Sequence, residues 1–314
     1  MAEYAVIAHT DMDGVAGAGV YALASGEWPR YVYFTEPYKL HRLLGEKLDK
    51  IKEVEKLVVI DLGVNPGGFP ELVGSVRELA AKGVSVEWYD HHLWDDEWVA
   101  AVSGAGVKLY LDTSTCATGV VYRYYAAGRV NREIAEELVP GVCAGDLWTF
   151  DHWRGGWYLR LIRRGDSDSW RLKVMREVFK GRAWTSSFTE KVEEAMDGEL
   201  RALSSVENIV VREADGIRVV AAYENSDVEN SFLAAYLLTR YSADVAVIAS
   251  VDGKLSLRSR SVDVRRVAVK LGGGGHMYAS GAKVTIPLSR KLLSLVDKKA
   301  LLNYVADKVY SALV

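Results

Sequence analysis

The chain has 314 residues and 34.7 kDa, more than one average domain of about 100–200 residues, and so predicts one large or two medium domains. Hydrophobic residues at 49% and charged residues at 26% are those of a globular protein, no apolar run reaches the roughly 18 residues of a membrane span, and Met1-Ala2-Glu3-Tyr4 lacks a basic-then-apolar leader. The reading is therefore cytoplasmic; a net charge of −3 excludes a globally basic nucleic-acid coat, and Cys116 and Cys143 are too few for a disulfide framework or a cysteine-rich zinc site.

In chain order, Tyr4–Ala8, Tyr31–Phe34, Leu57–Ile60, Val84–Tyr89 and Val107–Leu111 read as short strands rich in Val, Ile and Tyr. Between them Val15–Ala24, Lys39–Lys50, Glu71–Lys82 and Thr118–Ala127 carry helical spacing, as does Arg132–Val139 further on. This alternation predicts a parallel α/β sheet, whose ligands sit beyond the carboxyl ends of the strands. Phe188–Val206 reads as a charged amphipathic connector. Strands follow at Asn208–Val211, Ile217–Tyr223, Val245–Val251 and Lys254–Ser261, with helices at Ser231–Tyr241 and Leu292–Leu313. All nine tryptophans lie at or before Trp184, which supports a break near 186–206. The expected organisation is a larger α/β domain over 1–186, a helical linker over 187–207 and a smaller α/β domain over 208–314. Glutamine is absent and asparagines number only six, a depletion of thermolabile amides that predicts a thermophilic source.

The chemistry-bearing residues gather at the expected strand ends. His9-Thr10-Asp11-Met12-Asp13-Gly14 follows the first strand, Asp61-Leu62-Gly63 the third, and Asp90-His91-His92 the fourth; Asp146 follows a helical segment, with Asp151 close behind as a competitor. Taken singly, Asp61 or Asp146 reads as a helix N-cap, and Asp11 with Asp13 as a turn. Taken together, so many carboxylates at neighbouring strand ends repel one another unless a cation holds them. Mixed imidazole and carboxylate donors suit borderline divalent ions. Six or more ligands exceed what one catalytic ion with open positions needs, so two ions bridged by a carboxylate are expected, the arrangement of phosphoester hydrolysis.

The second half carries Gly272-Gly273-Gly274-Gly275-His276, a run that suits close backbone approach to an anion but matches neither a Walker loop nor a dinucleotide fingerprint. Upstream, Ser256, Arg258 and Arg260 share one face of an alternating strand, and residues 254–270 hold six basic side chains against one acid. Arginine forks grip phosphate oxygens bidentately. Asp151–Lys173 interleaves Trp153, Trp157, Tyr158 and Trp170 with five arginines, either a packed surface helix or a base-stacking, backbone-following stretch. His41 and His152 read as structural.

These motifs, in this order and over nearly the whole chain, resemble the DHH phosphoesterase superfamily, with Asp90-His91-His92 as its signature and Gly272–His276 as the mark of the DHH-associated C-terminal domain of the RecJ and nanoRNase branch. The resemblance implies an N-terminal parallel-sheet DHH domain and a substrate-binding C-terminal domain with the active-site cleft between them. It implies His9 and Asp11 on one metal, Asp13, His91 and Asp146 on the other, and Asp61 bridging. His92 would face the substrate phosphate and Asp90 would orient the imidazoles. Arg258, Ser259, Gly272, Gly273, Gly274, Gly275 and His276 would hold the substrate. The ions would be two divalent metals, Mn²⁺ above all, with Mg²⁺ or Co²⁺ as substitutes. The implied activity is hydrolysis of short single-stranded RNA or DNA oligonucleotides to mononucleotides. The alternatives are 3′-phosphoadenosine 5′-phosphate phosphatase activity and a 3′–5′ single-strand exonuclease in DNA repair; a non-catalytic binding protein is disfavoured by the complete motif set. The resemblance leaves a homodimer open.

Overall fold

Runs of β-branched and aromatic residues form the strands of the first sheet in this computed structural model, which describes residues 3–214, 216–275, 277–294 and 296–313. The strands are β1 (Tyr4–His9), β2 (Tyr31–Thr35), β3 (Lys56–Ile60), β4 (Ser85–Asp90) and β5 (Val107–Leu111), all parallel, in the order β2-β1-β3-β4-β5. The connecting helices are α1 (Met12–Ser25), α2 (Leu40–Ile51), α3 (Phe69–Ala81) and α4 (Asp96–Gly104). Because successive strand residues face opposite sides, Val6, Ala8, Val58 and Ile60 join the core under α1. Ala5, Ile7, Leu57 and Val59 join the core that includes Leu44 of α2 and Leu72 of α3. The strand order reverses between β1 and β3, the place where a doubly wound sheet opens its ligand crevice. Gly14 starts α1 hard against the end of β1: a Cβ there would lie 2.7 Å from the backbone of His9.

After β5 the chain turns helical. The expected helix over 118–127 begins as α5 (Ala117–Val121) and widens into a π-helical turn at Tyr122–Ala126; a second such turn at Ile134–Leu138 leads into α6 (Val139–Asp146). Then come α7 (Gly155–Leu161), α8 (Asp168–Phe179) and α9 (Ser186–Ser204). Although two cysteines are too few for a framework, Cys116 and Cys143 are joined in a disulfide across 27 residues, because α5 packs on α6.

The chain divides into two compact units between Val192 and Glu193, inside α9. The second unit is a six-stranded sheet of β6 (Val210–Ala214), β7 (Ile217–Tyr223), β8 (Val245–Ala249), β9 (Lys254–Ser259), β10 (Gly274–Gly275) and β11 (Ala279–Lys283), in the order β10-β11-β9-β8-β7-β6. β7 and β8 run parallel, and the remaining pairs are antiparallel. α10 (Asn230–Arg240) covers one face; α11 (Val264–Lys270) and α13 (Lys299–Leu313) cover the other, with α12 (Leu288–Leu293) between them in sequence. A single helix over 292–313 is thus corrected to two, because the Asp297 carboxylate accepts the Lys299 amide at 2.9 Å and starts α13 afresh. Among the described residues no helix is long and apolar enough to cross a membrane.

Candidate metal centre

Four segments of the first unit deliver their polar residues to one place. His9 ends β1, and Asp11 caps α1 by accepting the Gly14 amide at 3.1 Å. Asp13, in the first turn of α1, is buried, and its two carboxylate oxygens accept the amides of Ala117 and Thr118 at 2.7 and 2.8 Å. Asp61 follows β3 with φ +58°, a left-handed backbone rare outside glycine, and its amide donates to the Tyr89 carbonyl at 2.9 Å. Such backbone strain concentrates at functional positions. Asp90 ends β4 with His91 and His92 behind it, and Asp146 is the last residue of α6.

Asp61 stands between two groups. Its Oδ2 lies 3.3 Å from His9 Nδ1, which is also 2.8 Å from Asp11 Oδ2. Its Oδ1 lies 3.5 Å from His91 Nε2, which is in turn 3.8 Å from Asp13 Oδ2 and 3.6 Å from Asp146 Oδ2. His9, Asp11 and Asp61 each offer one ligand atom within 4.8 Å of the others, and so do Asp13, His91 and Asp146. Asp61, His91 and His92 form a third such group. Asp151, the competitor of Asp146, is exposed and accepts the Thr149 hydroxyl instead.

The donor set fits divalent cations. Asp146 Oδ2 is buried without a hydrogen-bond partner, and a cavity of about 30 Å³ beside Asp11, Asp13 and Asp146 has room for a water or an ion. Burial and then the nearby Asp61 charge push the Asp13 carboxyl up to about 7. Burial and then Asp13 hold Asp146 well above the usual carboxylate range. Burial opposes the charged imidazoles, yet Asp11 keeps His9 raised, and Asp61 with Asp13 pushes His91 up to about 10. A cluster that holds surplus protons is one that a cation can displace them from.

Some supporting residues were missed by sequence reasoning. Glu36, just after β2, lies with Oε2 3.6 Å from His9 Nε2 and accepts the Thr10 hydroxyl at 2.9 Å; a carboxylate at a fourth strand end was the available signal. Trp94 is another, its indole donating to Asp90 Oδ2 at 2.7 Å, while Asp90 Oδ1, on the residue expected to orient the imidazoles, lies 2.8 Å from His92 Nδ1. Buried Arg171 donates to the Thr10 carbonyl at 2.6 Å.

Immediately after Asp146 the chain exposes aromatic surface. Trp148 and Phe150 both have left-handed backbone, with φ 59° and 51°, and their rings meet edge to face at 4.7 Å. Trp153 is 60% exposed under the Arg154 guanidinium, whereas Trp157 packs against Trp184 and the core.

In the second unit Arg258 donates to Ser231 Oγ at 3.0 Å and has no carboxylate partner among the described residues; burial lowers its pKa. Ser259 differs from the expectation. It is buried, and its hydroxyl donates to the Asp244 carbonyl and accepts the Val262 amide, so it shapes a turn rather than facing a ligand. The amides of Gly272 and Gly273 donate to the carbonyls of Val269 and Ala268, closing α11, while Gly274 and Gly275 form the edge strand β10. A Cβ on Gly273 would lie 2.0 Å from the Gly281 carbonyl oxygen, so close backbone packing already requires that glycine. His276 lies outside the described residues.

Fold and site define a two-unit α/β protein whose first sheet gathers carboxylates and imidazoles at its strand ends. Residues 216–300 match the family model of the DHHA1 domain, and no curated protein matches the chain. The fold is similar to a pGpG-specific phosphodiesterase of Vibrio cholerae, at TM-score 0.55 and 13% identity over 96% of this chain and 99% of that one. An exopolyphosphatase-related protein of Bacteroides fragilis gives 0.55 and 15% over 98% and 93%. A manganese-bound exonuclease RecJ gives 0.52 and 14% over 97% and 90%. The second unit thus matches a DHHA1 domain, and the chain shares the two-unit fold of these phosphodiesterase, exopolyphosphatase-related and exonuclease structures.

Proposed function

We propose that this protein is a divalent-cation-dependent phosphodiesterase that cleaves short single-stranded oligonucleotides to mononucleotides. The placement of Asp61 carries the reading: one carboxylate offers one oxygen to His9 and the other to His91, the layout of a ligand shared by two ions. His9 and Asp11 would hold one ion and Asp13, His91 and Asp146 the other, Mn²⁺ being the first choice on the donor set. When bound, such a pair supplies an attacking water of lowered pKa and neutralises charge developing on the phosphorus oxygens. The chain's own residues do the rest. Asp90 fixes His92 through Nδ1, leaving Nε2 for a phosphate oxygen or a proton. Glu36, itself held by the Thr10 hydroxyl, lies against the His9 ring.

For the substrate, exposed Trp148 and Phe150, carried by the helix end that bears Asp146, and exposed Trp153 further along the chain offer faces on which unpaired bases stack. Arg258, half-buried with no carboxylate partner among the described residues, suits a phosphate. Two of the structurally similar proteins are a pGpG-specific phosphodiesterase and an exonuclease. End-labelled RNA and DNA oligomers of graded length, incubated with Mn²⁺ and resolved by product size, test the reading. Mononucleotide release from oligomers of about two to five units is expected. Phosphate release from 3′-phosphoadenosine 5′-phosphate without oligomer cleavage would replace it with a phosphatase, and cleavage of long strands alone with a repair-type exonuclease.

A further inference from the structure

Cys116 immediately precedes Ala117 and Thr118, the residues whose amides hold both oxygens of Asp13; the Thr118 hydroxyl also donates to the Asp13 carbonyl at 2.8 Å. Cys143 lies one helical turn before Asp146, and its carbonyl accepts the Leu147 amide at 2.9 Å in the last turn of α6. The disulfide thus joins the segment that holds Asp13 to the helix end that presents Asp146. These two carboxylates meet at His91. Their supports are unequal: Asp13 is pinned by three hydrogen bonds from 117–118, whereas Asp146 Oδ2 accepts none. Neither cysteine adjoins His9, Asp11 or Asp61 in sequence, and those three residues sit on β1, the start of α1 and the end of β3.

We infer that the Cys116–Cys143 disulfide positions Asp146 against Asp13, and that reducing it selectively weakens cation binding at the Asp13–His91–Asp146 group. This rests on the metal-centre reading above. The step is a thiol–disulfide exchange with a dithiol: the protein S–S bond breaks, two electrons and two protons arrive as two cysteine thiols, and the dithiol leaves as its own disulfide. Attack falls on Cys143 Sγ, because Cys116 is fully buried and Cys143 only partly. The fold survives, since α5 and α6 remain packed through Ala117, Val120, Val121 and Val142. Cys116 and Cys143 are therefore positioning residues. Orienting partners of metal ligands are typically worth about ten- to a hundredfold in affinity.

The test uses the full chain, reduced with dithiothreitol, desalted without oxygen and titrated with Mn²⁺ by calorimetry beside the oxidised protein. Thiols are counted in denaturant. Expected are no free thiols before reduction and two after. One of two Mn²⁺ sites should weaken about ten- to a hundredfold, the other should be unchanged, and reoxidation should restore the first. His9→Ala removes the unaffected site and leaves the redox-sensitive one to be read alone; Cys143→Ser should behave as the reduced protein. Two free thiols in the untreated protein, or two Mn²⁺ bound equally well after reduction, would overturn the inference while leaving the metal centre standing. Failure of the oxidised protein to bind two Mn²⁺ would overturn both.

Discussion

Asp90 holds His92 from a position with no solvent exposure: its Oδ1 lies 2.8 Å from His92 Nδ1 while the imidazole itself remains 34% exposed. Burial works against a charged His92, but this contact outweighs it and raises the pKa, and the same pairing lowers that of Asp90 despite its burial. A carboxylate behind an imidazole fixes the ring's orientation and supports its charged form. Asp90→Asn removes that charge and leaves one amide oxygen, which cannot accept both the His92 Nδ1–H and the Trp94 indole, so the protonated imidazole loses its partner. Turnover should fall by about a hundredfold, within the range for general acid–base groups. The alkaline limb of the pH–rate profile should move to lower pH, because His92 loses its proton earlier. A profile of unchanged shape would remove His92 from the reaction.

Asp61 is best tested with asparagine. Alanine would lose the ligand but also strain a backbone at φ +58°, where asparagine is tolerated. Asp61→Asn weakens a ligand shared by both groups, so bound Mn²⁺ should fall below two per chain and turnover by several orders of magnitude, with the melting temperature of the metal-free protein little lowered. Elemental analysis of the purified variant decides it; two ions with normal activity would contradict the assignment.

The protons held by the cluster give a pH dependence of definite sign. Asp13 rises from 3.8 to about 7 and His91 from 6.5 to about 10, so the folded state binds protons that the unfolded state releases. Stability from Asp13 is complete below 3.8 and lost as pH rises through about 7; that from His91 is complete below 6.5 and lost through about 10. Metal-free protein should therefore melt at progressively lower temperature between pH 5 and pH 9. Mn²⁺ competes with those protons, so the stabilisation it confers should widen over the same interval. Thermal melts at fixed ionic strength, with and without Mn²⁺, measure both. A metal-free melting temperature that climbs with pH would contradict it.

Much of this was legible because the strands announce themselves. Val58-Val59-Ile60-Asp61 reads as a buried strand ending in a carboxylate, and the sheet order then brings Asp61 beside His9 by rule. What escaped lies in contacts between distant segments. Glu36 matters only because β2 pairs with β1 and sets it near His9, and nothing in Thr35-Glu36-Pro37 says which strand is the neighbour. The disulfide escaped because a count of two cysteines carries no distance. The π-helical turns at 122–126 and 134–138 share the apolar spacing of ordinary helix, and α13 restarts at a local Asp297 turn that periodicity does not register. Ser259 follows Leu255 and Leu257 at period two, so the alternation puts it on their buried face, and only its polar side chain suggested a ligand.

Arg258 tests the proposed separation of phosphate gripping from chemistry, since the unit that carries it contributes no carboxylate or imidazole to the described metal groups. A hydrogen bond from a charged group to phosphate is worth about 1.5–3 kcal/mol. Arg258→Ala should raise KM by about ten- to a hundredfold and leave Mn²⁺ content unchanged. Loss of metal from this variant would show that the division of labour is wrong.

The length of the preferred substrate depends on the aromatic loop. Trp148 and Phe150 begin two residues after Asp146, and the amides of Trp148 and Phe150 are tied to the Gly145 and Ala144 carbonyls, so the rings are carried by the same helix end as the ligand. A base adjoining a scissile phosphate near Asp146 would reach them first, with Trp153, later in the chain, left for bases further along the strand. Each stacked base is worth about 1–3 kcal/mol. Trp148→Ala should therefore slow every oligomer, whereas Trp153→Ala should slow oligomers of about five units more than dinucleotides. Trp157 is the internal control. It packs between Trp153 and Trp184 against the core, so Trp157→Ala should lower the melting temperature without this length dependence. Rates on end-labelled di-, tri- and pentanucleotides under single-turnover conditions separate the cases. If Trp148→Ala and Trp153→Ala cleave all three lengths at the parent rate, the aromatic loop is no platform for bases, and recognition must rest on the phosphates alone.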